Sequence, residues 1–124
     1  MPLYAITTPS GALSDEAKSE LADRLTTLHS EHAGVPRNWV HIVFYEYAAG
    51  NGFTAGIPAA PVAVTVTIRT GRSSEYLREL LTGIWQLVQQ ATGVADDQLV
   101  IGIQEVPASR AMELGRIMPD VAGQ

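Results

Sequence analysis

The chain has 124 residues, 46% of them hydrophobic, a formal net charge of −5, a pI near 5.0 and no cysteine. That length suits one domain, spanning 1–124, with a real core, and the missing cysteines exclude disulfides and thiolate chemistry. The acidic balance, with Lys18 as the only lysine, argues against nucleic acid or an anionic membrane as partner; no apolar stretch reaches the roughly 18 residues of a membrane span, so a cytoplasmic chain is expected.

Met1-Pro2 leads directly into an apolar, β-prone run over residues 3–8. Initiator methionine is normally trimmed before a residue as small as proline, which would leave Pro2 as a free secondary amine at the start of a strand. An α-amino group titrates near ~7.7–8.0, and burial or nearby cations push it lower. Pro2 is therefore a candidate base or nucleophile. The alternative is that it merely opens an edge strand, where its missing N–H costs nothing.

A helix is expected from Ser14 as N-cap, with Asp15 and Glu16 in the positive first turn, to Gly34 as its stop. Ala17, Leu21, Leu25 and Leu28 form its buried stripe. Residues 39–47 are rich in β-branched and aromatic types and read as a strand, whereas Ala, Gly and Pro dominate 48–60 and mark a linker or loop. Val62–Arg69 reads as a strand and Ser74–Thr92 as a helix with Leu77, Leu80, Leu81, Ile84, Leu87 and Val88 inward. Leu99–Val106 is a further strand, ended by Pro107. Within the C-terminal segment 107–124, Ser109–Ile117 is expected as a short helix and Pro119–Gln124 as a loose tail.

A shift of 59 residues lays Pro2-Leu3-Tyr4-Ala5 on Pro61-Val62-Ala63-Val64, Leu21 on Leu80, Gly34 on Gly93 and Ile42 on Ile101. Two copies of one supersecondary unit, 2–47 and 61–106, follow. They predict an α+β fold: duplicated β-α-β units forming a four-stranded mixed sheet with two helices on one face. The strands are apolar on both sides, so the bare face is expected to pack against another subunit in a closed homo-oligomer.

Arg69 and Arg72 flank Thr70-Gly71 where a strand gives way to a helix, so both guanidinium forks can turn to one mouth and grip a carboxylate. Ion pairing with Glu75 or Glu79 is the competing reading. Among the histidines, His29 lies near the apolar stripe, and no two of His29, His32 and His41 have a convincing partner carboxylate for a metal site; no metal is expected. Glu105, at the end of the last strand, could pair with Arg110 or Arg116, and Glu113 would sit on the short helix after it; for both the competing reading is a solvated charge.

A β-α-β duplication of this length opening with Met-Pro resembles the tautomerase superfamily. Within it the chain is similar to the cis-3-chloroacrylic acid dehalogenase group, from Pro2 to about Pro119. The likeness rests on Pro2-Leu3-Tyr4, His29, Ala49-Gly50-Asn51-Gly52-Phe53, Arg69-Thr70-Gly71-Arg72-Ser73, and Glu105-Val106-Pro107-Ala108 followed by Glu113-Leu114-Gly115-Arg116. The resemblance implies Pro2 as catalytic base or acid, Arg69 and Arg72 as the substrate-carboxylate pair, His29 as a second substrate-binding group and Glu113 as the residue that activates water. It also implies a homotrimer, no cofactor and a small carboxylic-acid substrate. Gly102 stands where the dehalogenases carry a tyrosine, which weakens hydrolytic dehalogenation and leaves Tyr4, Tyr45 or Tyr47 to supply a phenol. The function implied is keto-enol tautomerisation of a small 2-oxo or 2-hydroxydienoic acid. The alternatives are a hydratase or dehalogenase of cis-3-haloacrylate-like acids and a non-catalytic oligomeric binding module.

Overall fold

The computed structural model describes residues 1–121. Four main strands, β1 (Leu3–Pro9), β2 (His41–Tyr47), β5 (Val62–Arg69) and β6 (Leu99–Val106), form one mixed sheet in the order β2-β1-β5-β6. β1 and β2 run parallel, as do β5 and β6, while β1 and β5 are antiparallel in the middle. Each parallel pair is joined by a helix, α1 (Asp15–Ala33) or α2 (Ser74–Thr92).

Both helices begin and end as their sequences dictate. Ser14 Oγ accepts from the Ala17 N–H and Ser73 Oγ from the Tyr76 N–H, each at 3.1 Å, and Gly34 and Gly93 terminate them in the left-handed region. The fully inward residues recur every four positions: Leu21, Leu25 and His29 on α1, and Tyr76, Leu80, Ile84 and Val88 on α2. They pack on the alternate strand residues Tyr4, Ile6, Val62, Val64, Val66 and Ile68. Leu28, Leu77 and Leu87 are only partly buried at the edges of this core.

The opposite parity, including Leu3, Val43, Tyr45 and Val100, is exposed on the uncovered face. β1 is a central strand rather than an edge, so an edge-strand role for Pro2 does not apply. The Pro2 carbonyl accepts from the His41 N–H at 3.1 Å.

Three expectations need correction. Trp39 is not in a strand: Pro36 starts a 3-10 turn over Arg37–Trp39, and β2 begins only at His41. Residues 48–60 contain a hairpin, β3 (Phe53–Thr54) with β4 (Ile57–Pro58). Residues 109–117 do not form a helix; a 3-10 turn, Ala108–Arg110, leads into a second hairpin, β7 (Met112–Glu113) with β8 (Arg116–Ile117). Both turns place two consecutive residues at positive φ, Ala55-Gly56 and Leu114-Gly115, the two-residue geometry that matches strand twist.

These hairpins are themselves related by the 59-residue shift, as are the 3-10 turns Arg37–Trp39 and Asp96–Gln98, so each repeat is β-α-β followed by a hairpin. Of the tail, Pro119–Val121 folds back on the body, with the Pro119 carbonyl accepting from Arg69 Nη1 at 2.7 Å; residues 122–124 lie outside the described residues.

Leu80 is fully buried beneath the sheet. Leu80→Ala should lower unfolding stability by about 2–5 kcal/mol, read as a reduced urea midpoint; an unchanged midpoint would contradict the core described.

Candidate active site

The β1–β5 register sets Leu3 opposite Thr67; continued by two residues, it brings Met1 alongside Arg69. There Met1, His29, Arg69, Arg72, Tyr76 and Val121 line one cavity, in which only about 10 Å³ remains, about the volume of one water probe. Met1 is part of that lining. Its amino group contacts Glu113 Oε2 on the β7 hairpin, and burial, then the Arg69 charge, lower its pKa to about 6. Pro2 is fully buried behind it, and in this chain its nitrogen is part of a peptide bond.

The two arginines find no carboxylate within ion-pair distance among the described residues, Glu75 and Glu79 included. Arg69 is buried, donates to the Pro119 carbonyl and lies 5.7 Å over the Trp39 ring. Burial, then the Arg72 charge, lower its pKa. Arg72 lies 4.6 Å over the Tyr76 ring, with a long 3.4 Å contact to the Ala33 carbonyl. Two cations held by aromatic faces and carbonyls keep their forks available to an anion.

His29 reaches the cavity from the last turns of α1. Tyr4, also buried, holds it: the phenol lies 2.7 Å from Nδ1 and the rings meet edge to face. Burial, followed by the charges of His32, Arg72 and the amino terminus, lowers the His29 pKa to about 3, while burial raises that of Tyr4. A protonated phenol donating to a neutral ring assigns the imidazole proton to Nε2, which is then a donor to the cavity. His32 stacks on Tyr76 instead, with centroids 4.2 Å apart, and His41 is exposed on β2, 3.9 Å from Glu113 Oε1.

Glu113 therefore sits on a hairpin strand, one oxygen against the Met1 amine. Glu113 also borders an apolar cavity of about 240 Å³, lined by Trp39, Leu114 and Met118. Glu105 is exposed on β6. Gly102 is exposed too, on the outward parity of β6 opposite Thr65, so a side chain there would not enter this chain's own cavity. Of the tyrosines expected to supply a phenol, Tyr4 is committed to His29, the Tyr47 hydroxyl donates to the Pro61 carbonyl at 2.6 Å, and Tyr45 points outward.

Tyr76, absent from the sequence expectations, is the phenol that lines the cavity; its spacing of four from Leu80 carried the signal. No three His, Asp or Glu side chains converge as metal ligands would among the described residues. A larger cleft of about 340 Å³ between the helices, bordered by Glu20, Arg24 and Gln90, gathers no comparable chemistry.

A buried proline at the amino end of a central strand and two arginines without an ion-pair partner among the described residues sit together on a β-α-β-hairpin duplication. The chain matches, over residues 1–123, the family described as "Putative oxalocrotonate tautomerase enzyme", and it belongs to that family. It is similar to native Ps01740, with 34% identity over 90% of this chain and 99% of that one and a TM-score of 0.87. It is also similar to N1, a member of the cis-3-chloroacrylic acid dehalogenase family, with 30% identity over 97% of this chain and 85% of that one and a TM-score of 0.91. A fused 4-OT, 24% identical over 98% of this chain and 99% of that one, shares the fold at a TM-score of 0.86. No curated protein matches the chain in sequence.

The state of His29 can be checked directly. As pH falls below about 6.5 the unfolded histidine takes up a proton that the folded one refuses until about 3, so acid through that window disfavours the fold by up to about 1.4 kcal/mol per pH unit from this group. The His29 ring resonances should stay flat from pH 8 to 5 in an NMR titration. An inflection near 6.5 would show the ring to be solvated and the buried pair with Tyr4 absent.

Proposed function

We propose that the protein is a cofactor-independent keto-enol tautomerase of a small 2-oxo or 2-hydroxydienoic acid, acting through Pro2 once Met1 is removed. The observation that carries this reading is the position of Met1. It lines the cavity with Arg69, Arg72 and His29 and touches Glu113 through its amine, and its departure would turn the buried Pro2 nitrogen into a secondary amine at that cavity.

The environment that lowers the Met1 amine would act on that nitrogen in the same direction, favouring the neutral base near pH 7. Arg69 and Arg72 bind the carboxylate. The neutral Pro2 amine takes the proton of the enol hydroxyl, and the resulting ammonium returns one to C3, leaving the ketone with no net change in oxidation state. His29 Nε2–H and the arginines stabilise the negative charge that develops on the C2 oxygen. The apolar cavity beside Glu113 has room for a substituent on C3.

A second reading is supported by the Glu113 carboxylate, whose buried oxygen would border the same vacated space and could activate water for addition to an unsaturated or halogenated three-carbon acid. Products separate the two: ketonisation alone, or malonic semialdehyde and halide.

The exposed apolar residues on the uncovered sheet face support assembly. A fused 4-OT that shares the fold is a symmetric trimer, and we extend that state to this chain. Light scattering should give three times the 13.3 kDa chain mass; a monomeric mass would contradict it.

The catalytic claim is tested by following phenylpyruvate ketonisation by absorbance, on protein whose amino terminus is checked by intact mass. Processed wild type should be active, and Pro2→Ala and Arg72→Ala should each lose about 100-fold or more in kcat/KM, the scale of a general base or a charged contact. Inert processed protein would leave the non-catalytic binding module as the better account, and full activity in Pro2→Ala would remove Pro2 as the base.

A further inference from the structure

We propose that Tyr76 is a third carboxylate-binding residue: its hydroxyl donates to the acid group gripped by Arg69 and Arg72, and its ring face holds Arg72 in place. This rests on the carboxylate-clamp reading above and extends it to a residue outside the resemblance.

Three observations carry it. Tyr76 lies in the first turn of α2, where its N–H is fixed to Ser73 Oγ, and only 7% of the residue is exposed. Its ring is held between defined neighbours: the Arg72 guanidinium lies 4.6 Å from the centroid, the His32 ring stacks at 4.2 Å and 20°, and the Tyr76 carbonyl lies 3.0 Å from His32 Nε2. Such a ring is preorganised, so little rotamer freedom remains to be lost on binding.

The hydroxyl itself has no hydrogen-bond partner among the described residues, although the side chain lines the cavity shared by His29, Arg69 and Arg72. Among the described residues the buried polar side-chain atoms without a partner are Thr8 Oγ1 and Glu113 Oε2, not this hydroxyl; it is open to solvent and so free to donate to an anion that enters the cavity. Burial raises the Tyr76 pKa, outweighing the lowering by Arg72 and Arg69, so the phenol remains a donor at neutral pH. The other three tyrosines are committed elsewhere or face outward.

Calorimetric binding of 3-phenyllactate, a carboxylate that cannot enolise, tests the proposal on processed protein. Tyr76→Phe keeps the ring and removes only the hydroxyl. It should weaken binding about 10-fold, the low end for a hydrogen bond to a charged group, raise KM for phenylpyruvate in proportion and leave kcat and the urea midpoint near wild type. Tyr76→Leu should weaken binding further, because Arg72 loses its aromatic support.

In unmutated protein, the ring Cζ carbon resonance of Tyr76 should shift on adding 3-phenyllactate, a readout that survives if a variant fails to fold. Binding by Tyr76→Phe within twofold of wild type, or an unmoved Cζ resonance, overturns the proposal. If Arg72→Ala loses binding while Tyr76→Phe does not, only the role of Tyr76 fails; if Arg72→Ala binds as wild type, or wild type binds nothing, the clamp reading fails with it.

Discussion

The antiparallel pairing of β1 with β5 is the constraint on which the site depends. It joins the two repeats at the centre of the sheet and, through the Leu3–Thr67 register, sets the amino end of the chain beside Arg69. β2 fixes the same residues from the other side through the His41 N–H to Pro2 carbonyl bond. A one-residue slip would turn Tyr4 and Ile6 out of the core, so the apolar pattern that buries the sheet also positions Pro2.

Around that point the protein gathers charge that it does not neutralise. Arg69 and Arg72 stand together in an acidic chain, backed by Trp39 and Tyr76 and by backbone carbonyls, with no carboxylate within ion-pair distance among the described residues. Burial first, and the neighbouring positive charge second, make the Met1 amine and the His29 imidazole resist becoming cations. A cavity that disfavours further positive charge favours an anion and a neutral base together, which is the combination enolisation of a carboxylic acid requires.

Much of the fold was legible because its long elements carry strong periodic signals. The four main strands, both helices and their serine and glycine ends follow from pattern alone. The hairpins did not, since two-residue strands are too short for periodicity. Ala55-Gly56 and Leu114-Gly115 recur at the same 59-residue shift, however, and comparison of those turns would have revealed them and removed the helix expected over 109–117. Pro2, His29, Arg69, Arg72 and Glu113 were chosen from chemistry and resemblance, and the structure gathers them around Met1. Tyr76 escaped because it reads as one more apolar position on α2; only the three-dimensional stack with Arg72 and His32 sets it apart.

The repeat is symmetric in fold and asymmetric in chemistry. The 59-residue shift pairs Pro2 with the internal Pro61, Arg69 with Ser10, Arg72 with Leu13, His29 with Val88 and Glu113 with Thr54, so the candidate site residues have no counterpart set in the other repeat. The central claim is a neutral, nucleophilic Pro2 amine beside a carboxylate clamp, and a 2-oxo acid carrying an activated alkyne probes it, because such an alkyne conjugates a neutral amine. Peptide mass mapping after incubation of processed protein should place a single adduct on Pro2, with labelling suppressed in Arg72→Ala. No adduct, or an adduct on another residue, would contradict the account.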